Sequence, residues 1–318
     1  MPQFLDCARK MPHTHVIISV NPKAGRQSPI VRAEELCVCL QHKGFTAELL
    51  TDLDEVVEKT NALHTAGKLR VLIGVGGDGT AATFVNRTQP GTPITLLSAG
   101  TANLLAKHFR LPSRPAKLAE MIESGTVRTF DAGLARFGNT ERIFLVMAGC
   151  GFDAAVVNGV HAHREERYRQ GHARGAHISY FSYIKPILTS MLRYEFPKIT
   201  VECLEEPHVT LSAVHWAFVF NINRYAWGLP LAPLASETDG KLDHVLFRGG
   251  TPFHGVFYTA LAQCFSLHRF FPTVQLGQRT RYRITADAPV PFQLDGDPIG
   301  ELPLELEIVP NRFTLLVP

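Results

Sequence analysis

The chain contains no C-x-x-C pair. Its six cysteines, Cys7, Cys37, Cys39, Cys150, Cys203 and Cys264, are scattered, a pattern that suggests neither a zinc cluster nor a disulfide framework and that fits a reducing cytosol. Charge of one sign is also lacking. With 32 basic against 29 acidic residues the formal net charge is +3, too slight to argue for nucleic acid, though it leaves room for a basic patch facing an anionic membrane surface. No stretch reaches the roughly 18 consecutive apolar residues that a spanning helix requires. The apolar run nearest the start, Val16-Ile17-Ile18-Ser19-Val20, is too short for the core of a signal peptide. Two nucleotide signatures are missing as well: nothing reads G-x-x-x-x-G-K-S/T, and no G-x-G-x-x-G follows the first apolar run. Any nucleotide must therefore be held by other turns.

Turns suited to that task are present. Val71-Leu72-Ile73-Gly74-Val75 is a buried strand pattern that breaks into Gly76-Gly77-Asp78-Gly79-Thr80 and continues as Ala81-Ala82-Thr83-Phe84-Val85, which predicts strand, tight turn and helix start. Glycines admit close approach, and the unpaired N–H groups of the following helix suit an anion. Asp78 beside a bare phosphate would repel it, so the loop implies a cation such as magnesium between them. The alternative at this stretch is a glycine-rich loop with an N-capping aspartate.

Two further turns have the same placement. His15–Val20 reads as a first strand running into Asn21-Pro22-Lys23-Ala24-Gly25-Arg26, and Ile94–Leu97 as a fourth running into Ser98-Ala99-Gly100-Thr101-Ala102-Asn103. Between them, Ser28-Pro29 predicts a helix ending at Gly44, Phe45–Leu50 a strand, and Asp52 with Glu55 a capped helix ending at Gly67. Strands alternating with helices predict a parallel α/β sheet whose ligands bind at the carboxyl ends of the strands. After Gly125 the pattern changes. Val127–Phe137, Arg142–Met147, Lys198–Leu204, Val209–Ile222, Leu242–Arg248, Thr280–Ala286 and Leu304–Val317 read as strands of an antiparallel sandwich or barrel. Pro252–Phe271 reads as a packing helix. The length favours two domains, drawn at 1–130 and 131–304, with a terminal strand over 305–318 that could return to the first.

Five blocks taken together resemble the diacylglycerol kinase catalytic-domain family, which takes in soluble bacterial lipid kinases and the sphingosine and ceramide kinases. They are Asn21-Pro22-Lys23-Ala24-Gly25, Gly76-Gly77-Asp78-Gly79-Thr80, Gly100-Thr101-Ala102-Asn103, Asp239-Gly240-Lys241-Leu242 and Leu294-Asp295-Gly296-Asp297. Gly-Gly-Asp-Gly-Thr by itself is shared with NAD kinases and phosphofructokinases; the order and spacing of all five point to the lipid kinases. The resemblance implies a parallel Rossmann-like sheet with helices, as in NAD kinase and phosphofructokinase, followed by an antiparallel β-sandwich. It implies ATP held by Asn21, Lys23, Gly76, Gly77, Asp78, Gly79 and Thr80, with Thr51 and Thr101 nearby. It implies a structural Mg2+ held by the Asp239 carboxylate and the backbone oxygens of Ser236 and Lys241, hard ligands that suit the ion. The proton acceptor of the family lies in an Asp-Gly-Glu-like motif. This chain has Asp297 where many relatives have glutamate, so Asp297 is favoured as the base and Asp295 is the alternative.

The function expected is an ATP- and Mg-dependent lipid kinase acting on a diacylglycerol, sphingoid base or ceramide hydroxyl. Its home would be the cytoplasm, with peripheral contact at the inner membrane surface, no nucleic-acid partner, and a homo-oligomer left open. The stretch from His161 to Ile187, basic residues running into Tyr180, Phe181 and Tyr183, has the composition of an interfacial element. Selectivity is expected in an apolar lining drawn from Phe152, Trp216, Phe218, Tyr225 and Trp227. The rivals are an NAD kinase-like small-molecule kinase and a catalytically silent lipid-binding module.

Overall fold

The computed structural model describes residues 14–20, 29–100, 102–169, 194–205, 208–226, 228–251, 253–254 and 267–318. The expected alternation holds through the first hundred residues: β1 (His15–Val20), α1 (Pro29–His42), β2 (Thr46–Leu50), α2 (Leu53–Thr65), β3 (Leu69–Gly76), α3 (Asp78–Arg87) and β4 (Pro93–Ser98). Local chemistry sets the boundaries. Pro29 opens α1, where its missing N–H costs nothing, and Ala33, Leu36 and Leu40 form the stripe it buries. The Asp52 carboxylate accepts the Glu55 N–H at 3.0 Å to cap α2, and Gly67 ends it with φ +62.

These strands pair in the order β2-β1-β3-β4, all parallel. The chain leaves β1 in one direction to make β2 and returns past it to make β3. A switch point therefore lies between β1 and β3, the place where open α/β sheets leave a crevice beyond the strand ends. Val71, Leu72 and Ile73 on β3 are wholly buried, each worth about 1.5–3 kcal/mol of transfer from water. After α4 (Leu104–His108) and α5 (Pro115–Ser124) come β5 (Thr126–Phe137), β6 (Thr140–Phe144), β7 (Met147–Gly151) and α6 (Phe152–Arg169). The described chain continues through β8 (Ile199–Cys203), β9 (Val209–Val214), β10 (Trp216–Phe220), β11 (Leu242–Phe247), a 3-10 turn (Leu267–Phe270), β12 (Val274–Arg279), β13 (Arg281–Ala286), β14 (Pro291–Leu294), β15 (Asp297–Glu301) and β16 (Leu304–Val317).

The second half is an antiparallel β-sandwich, as expected, but it is not a separate sheet system. The first sheet runs on from β4 through β16, β13, β8 and β9, with β5 joined to β16 and β6 to β5, while β12-β11-β10-β7-β14-β15 makes the facing layer. Strand β16 is the joint: it pairs in parallel with β4 at Thr314 and Leu315, and antiparallel with β5 along almost its whole length and with β13 at its start.

Two expected strands are divided. Arg142–Met147 breaks at Leu145 and Val146 because successive N–H groups turn out of the ladder toward Asp295, and the chain crosses there from one sheet to the other. Val209–Ile222 breaks at His215, whose N–H goes to the Phe247 carbonyl as the chain makes a second crossing. The β12 strand and the β14–β15 hairpin were not anticipated as strands. Most of Pro252–Phe271 lies outside the described residues.

Candidate active site

The loop between β3 and α3 explains its own glycines. A Cβ on Gly76 would run into the Thr80 side chain, and one on Gly77 would sit 3.2 Å from the Gly100 Cα. One on Gly100 would in turn come within 2.9 Å of the Gly77 Cα. The loops after β3 and β4 thus touch backbone to backbone, and only residues without a Cβ allow it. Asn103 clasps the second loop on itself: its Oδ1 accepts the Gly100 N–H at 3.0 Å and its Nδ2 donates to the Gly100 carbonyl at 2.8 Å.

Asp78 ties the two loops together. Its carboxylate accepts the N–H groups of Leu104 and Leu105, 2.9 Å each, at the start of α4. Burial pushes its carboxyl above the usual range, and those two N–H donors oppose the rise. The sequence reading paired Asp78 with a cation that would reconcile it with phosphate. Both oxygens answer the unpaired amides of a helix start, and each keeps a lone pair that a cation could use. Thr51 lies at the carboxyl end of β2, exposed, and Gly76 ends β3 on the same edge of the sheet. Asn21, Lys23 and Thr101 lie outside the described residues.

Opposite this edge stands the β14–β15 hairpin. Its Asp297 carboxylate is 39% exposed and receives Arg142 Nη2 at 2.7 Å. Both Asp297 oxygens lie 3.9–4.0 Å from where a Cβ on Gly79 would be, with no nearer atom in between. Arg142 is held in turn by the strand beneath it: Asn86 on α3 accepts the Ile143 N–H at 2.8 Å and donates to the Ile143 carbonyl at 2.9 Å. An exposed ion pair of this kind adds little to stability. Its effect is to aim the carboxylate at the glycine loop. Asn86 and Arg142 were missed in the sequence because neither stands in a motif and their meeting is purely tertiary.

Asp295, two residues earlier, has the opposite surroundings. It accepts the N–H groups of Leu145, Val146 and Met147 at 2.8, 2.8 and 3.0 Å, and burial pushes its carboxyl up to about 6. Its oxygens hold the crossing between sheets, and the charge of Asp78 on the glycine loop adds to the rise; of the two expected bases, Asp297 is the exposed one. Gln293 fixes the turn from behind. Its Oε1 accepts the Gly296 N–H at 2.7 Å and its Nε2 donates to Asp153 Oδ2 at 2.9 Å. The other Asp153 oxygen takes the Tyr225 hydroxyl. Burial raises the Asp153 carboxyl, against the pull of these two donors. Phe152, Trp216 and Phe218 are core residues: the Phe152 and Trp216 rings lie 4.9 Å apart, and Phe218 meets Tyr225 at 5.3 Å. Trp227 lies outside the described residues.

The turn expected to hold magnesium is anchored to the first half of the chain. Asp131 on β5 accepts the Gly240 N–H and the Asn311 N–H, both at 2.8 Å, and Glu237 bonds His108 of α4 at 2.9 Å. Asp239 Oδ1 accepts the Lys241 N–H at 3.1 Å, while its Oδ2 shares the Gln278 amide with Asp243. Burial, aided by the Asp239 charge, pushes the Asp243 carboxyl up to about 6. Among the described residues no group of three or more His, Cys, Asp or Glu gathers to hold a metal. A cation here would rely on the Asp239 carboxylate and backbone oxygens of Ser236 and Lys241. Two carboxylates competing for one amide fit that hard-oxygen donor set.

A parallel α/β sheet fused to an antiparallel sandwich is the architecture of the NAD kinase fold class. Residues 15–135 match the diacylglycerol kinase catalytic domain, and residues 154–317 match the YegS C-terminal NAD kinase beta sandwich-like domain. The chain belongs to the family that joins these two domains, the diacylglycerol and lipid kinases. A relative named diacylglycerol kinase from Mycobacterium tuberculosis is 26% identical over 314 residues, spanning 94% of this chain and 93% of its own. The crystal structure of a diacylglycerol kinase from Bacillus anthracis superposes with TM-score 0.65 at 16% identity, over 97% of this chain and 98% of that one. An NAD kinase from Archaeoglobus fulgidus in complex with ATP does so with TM-score 0.50 at 14% identity, over 95% and 92%. These structural likenesses show the fold.

Proposed function

We propose that the protein transfers the γ-phosphate of ATP to the hydroxyl of a membrane lipid, with Asp297 as general base. The observation that carries this reading is the placement of Asp297, exposed and paired with Arg142, with both oxygens 3.9–4.0 Å from where a Cβ on Gly79 would be. In the step, Asp297 accepts the lipid hydroxyl proton, the lipid oxygen bonds to the γ-phosphorus, and the bond from that phosphorus to the bridging oxygen of ADP breaks. Such transfer needs positioning and charge neutralisation more than covalent chemistry from the protein. The amides of the 76–80 loop, with Asn21, Lys23, Thr51 and Thr101, are assigned to the nucleotide. Asp78 acts here by holding the two loops against each other. Magnesium bound at Ser236, Asp239 and Lys241 would supply positive charge that holds this turn beside α4.

The reading is tested with labelled ATP and magnesium against diacylglycerol, monoacylglycerol, sphingoid bases, ceramide and NAD. Label in one lipid class and none in NAD is expected. Label in NAD alone supports the small-molecule kinase, and label in nothing supports the silent binding module. A second expectation concerns the gap itself. Gly79→Ala places a methyl group at ordinary van der Waals distance from Asp297, so folding should be undisturbed while the space for a phosphoryl group shrinks. Turnover should fall by at least roughly ten-fold, the loss that follows from small displacements of reacting groups, with the thermal midpoint unchanged.

A further inference from the structure

Eight large hydrophobic side chains stand out as exposed in the described chain, and five of them, Leu234, Phe253, Leu267, Phe270 and Phe271, come from three segments distant in sequence. Their exposure runs from 36% at Phe271 to 83% at Phe253. Hydrogen bonds bring the three segments side by side. His268 Nε2 donates to the Leu231 carbonyl at 2.8 Å, and the Arg248 N–H donates to the Thr273 carbonyl at 3.0 Å. The 3-10 turn explains the outward pair: His268 is buried as the anchor, which leaves Leu267 and Phe270, three residues apart and so on one side of the turn, to face away from it. Grouped apolar exposure of this kind marks an interaction site, whereas scattered single residues do not.

The charge around the patch selects the partner. Arg248 and Arg269 are exposed, and the Arg269 guanidinium lies 4.6 Å over the Phe270 ring. The described residues of 231–235, 248–254 and 267–274 include no carboxylate. A second copy of this chain docking here would bring like charges together, whereas an anionic bilayer answers the arginines and the apolar side chains at once. We propose that this surface docks on an anionic lipid bilayer, with Leu234, Phe253 and Phe270 entering the headgroup region and Arg248 and Arg269 pairing with lipid phosphates. The proposal rests on the lipid-kinase reading and locates its membrane contact on the sandwich; residues 170–187 of the stretch singled out in the sequence lie outside the described residues.

The test is flotation with vesicles of phosphatidylcholine alone or mixed with phosphatidylglycerol, in the absence of nucleotide, so that its outcome is separate from any failure of the kinase reading. Wild-type protein should bind the mixed vesicles, less at high salt and less to phosphatidylcholine alone. F253E and F270E should each lower partition by roughly ten-fold or more, as removal of one buried aromatic side chain implies. The double variant R248E/R269E, which leaves the apolar groups in place, should lose the preference for phosphatidylglycerol. Phosphorylation of a short-chain lipid dispersed in detergent should be unaffected in all of them. Wild-type partition in every variant overturns the proposal. So does conversion of an oligomer to a monomer by F253E or F270E, seen by light scattering, with vesicle binding unchanged.

Discussion

Asp297→Asn is expected to lower kcat by about 10²–10⁴-fold, the usual contribution of a positioned general base, while nucleotide affinity and the thermal midpoint stay close to wild type. The asparagine keeps the size and can still accept from Arg142, so the hairpin should hold its place. What is lost is the site for the proton. Single-turnover kinetics with saturating ATP, beside a nucleotide-binding titration, separates the two quantities. Equal losses in binding and turnover would instead make Asp297 part of the nucleotide site. Asp297→Glu should restore part of the rate, since it keeps a carboxylate at a partly exposed position where the side chain can adjust. Arg142→Met should cost rate through aim alone, with binding retained.

Asp295→Ala should act on the fold first. Three backbone N–H groups lose their acceptor at once, in a place where burial makes an unpaired donor expensive. Relief from burying a charge offsets part of that loss. A net destabilisation of roughly 3 to 5 kcal/mol follows, or a thermal midpoint lowered by about 10 °C for a protein of this size. The pH dependence has a definite sign. The folded carboxyl is pushed up to about 6 by burial, above an ordinary value of about 3.9. In the window between, the folded chain holds a proton that the unfolded chain has released. Its stabilising contribution is therefore fully present below about pH 4 and is lost as pH rises through 6. Asp295→Asn removes that titration, so its deficit against wild type should widen between pH 7.5 and pH 5 in urea denaturation. A deficit that narrows over that range would show that Asp295 is not the proton-holding group.

The two aspartates of one Asp-Gly-x-like turn thus divide between chemistry and architecture. Both are carboxylates in the same hairpin. Asp295 points back at the chain where it changes sheets, and Asp297, at the start of β15, points out. Gln293 spans the distance between the turn and the Asp153–Tyr225 pair, so the hairpin that carries Asp297 is tied to the start of α6 and to the loop after β10.

Much of this protein was legible without coordinates because local rules act over a few residues. Buried runs broken by glycine placed β1 to β4, Pro29 and Asp52 placed the starts of α1 and α2, and five short blocks in order identified the family. Other features depended on groups brought together from distant positions. The continuity of the first sheet through β16 rests on pairing across more than two hundred positions, which no local pattern encodes. The single strand expected over Arg142–Met147 was divided because its amides found a carboxylate about 150 residues away. The sequence by itself determined that Asp78 belongs to a glycine turn after a strand and that Asp295 and Asp297 flank a glycine in a late block of the family pattern. Only the tertiary structure decided their surroundings, because the donors that reach a carboxylate come from distant parts of the chain: helix amides for Asp78, strand amides for Asp295, and for Asp297 one arginine and partial exposure.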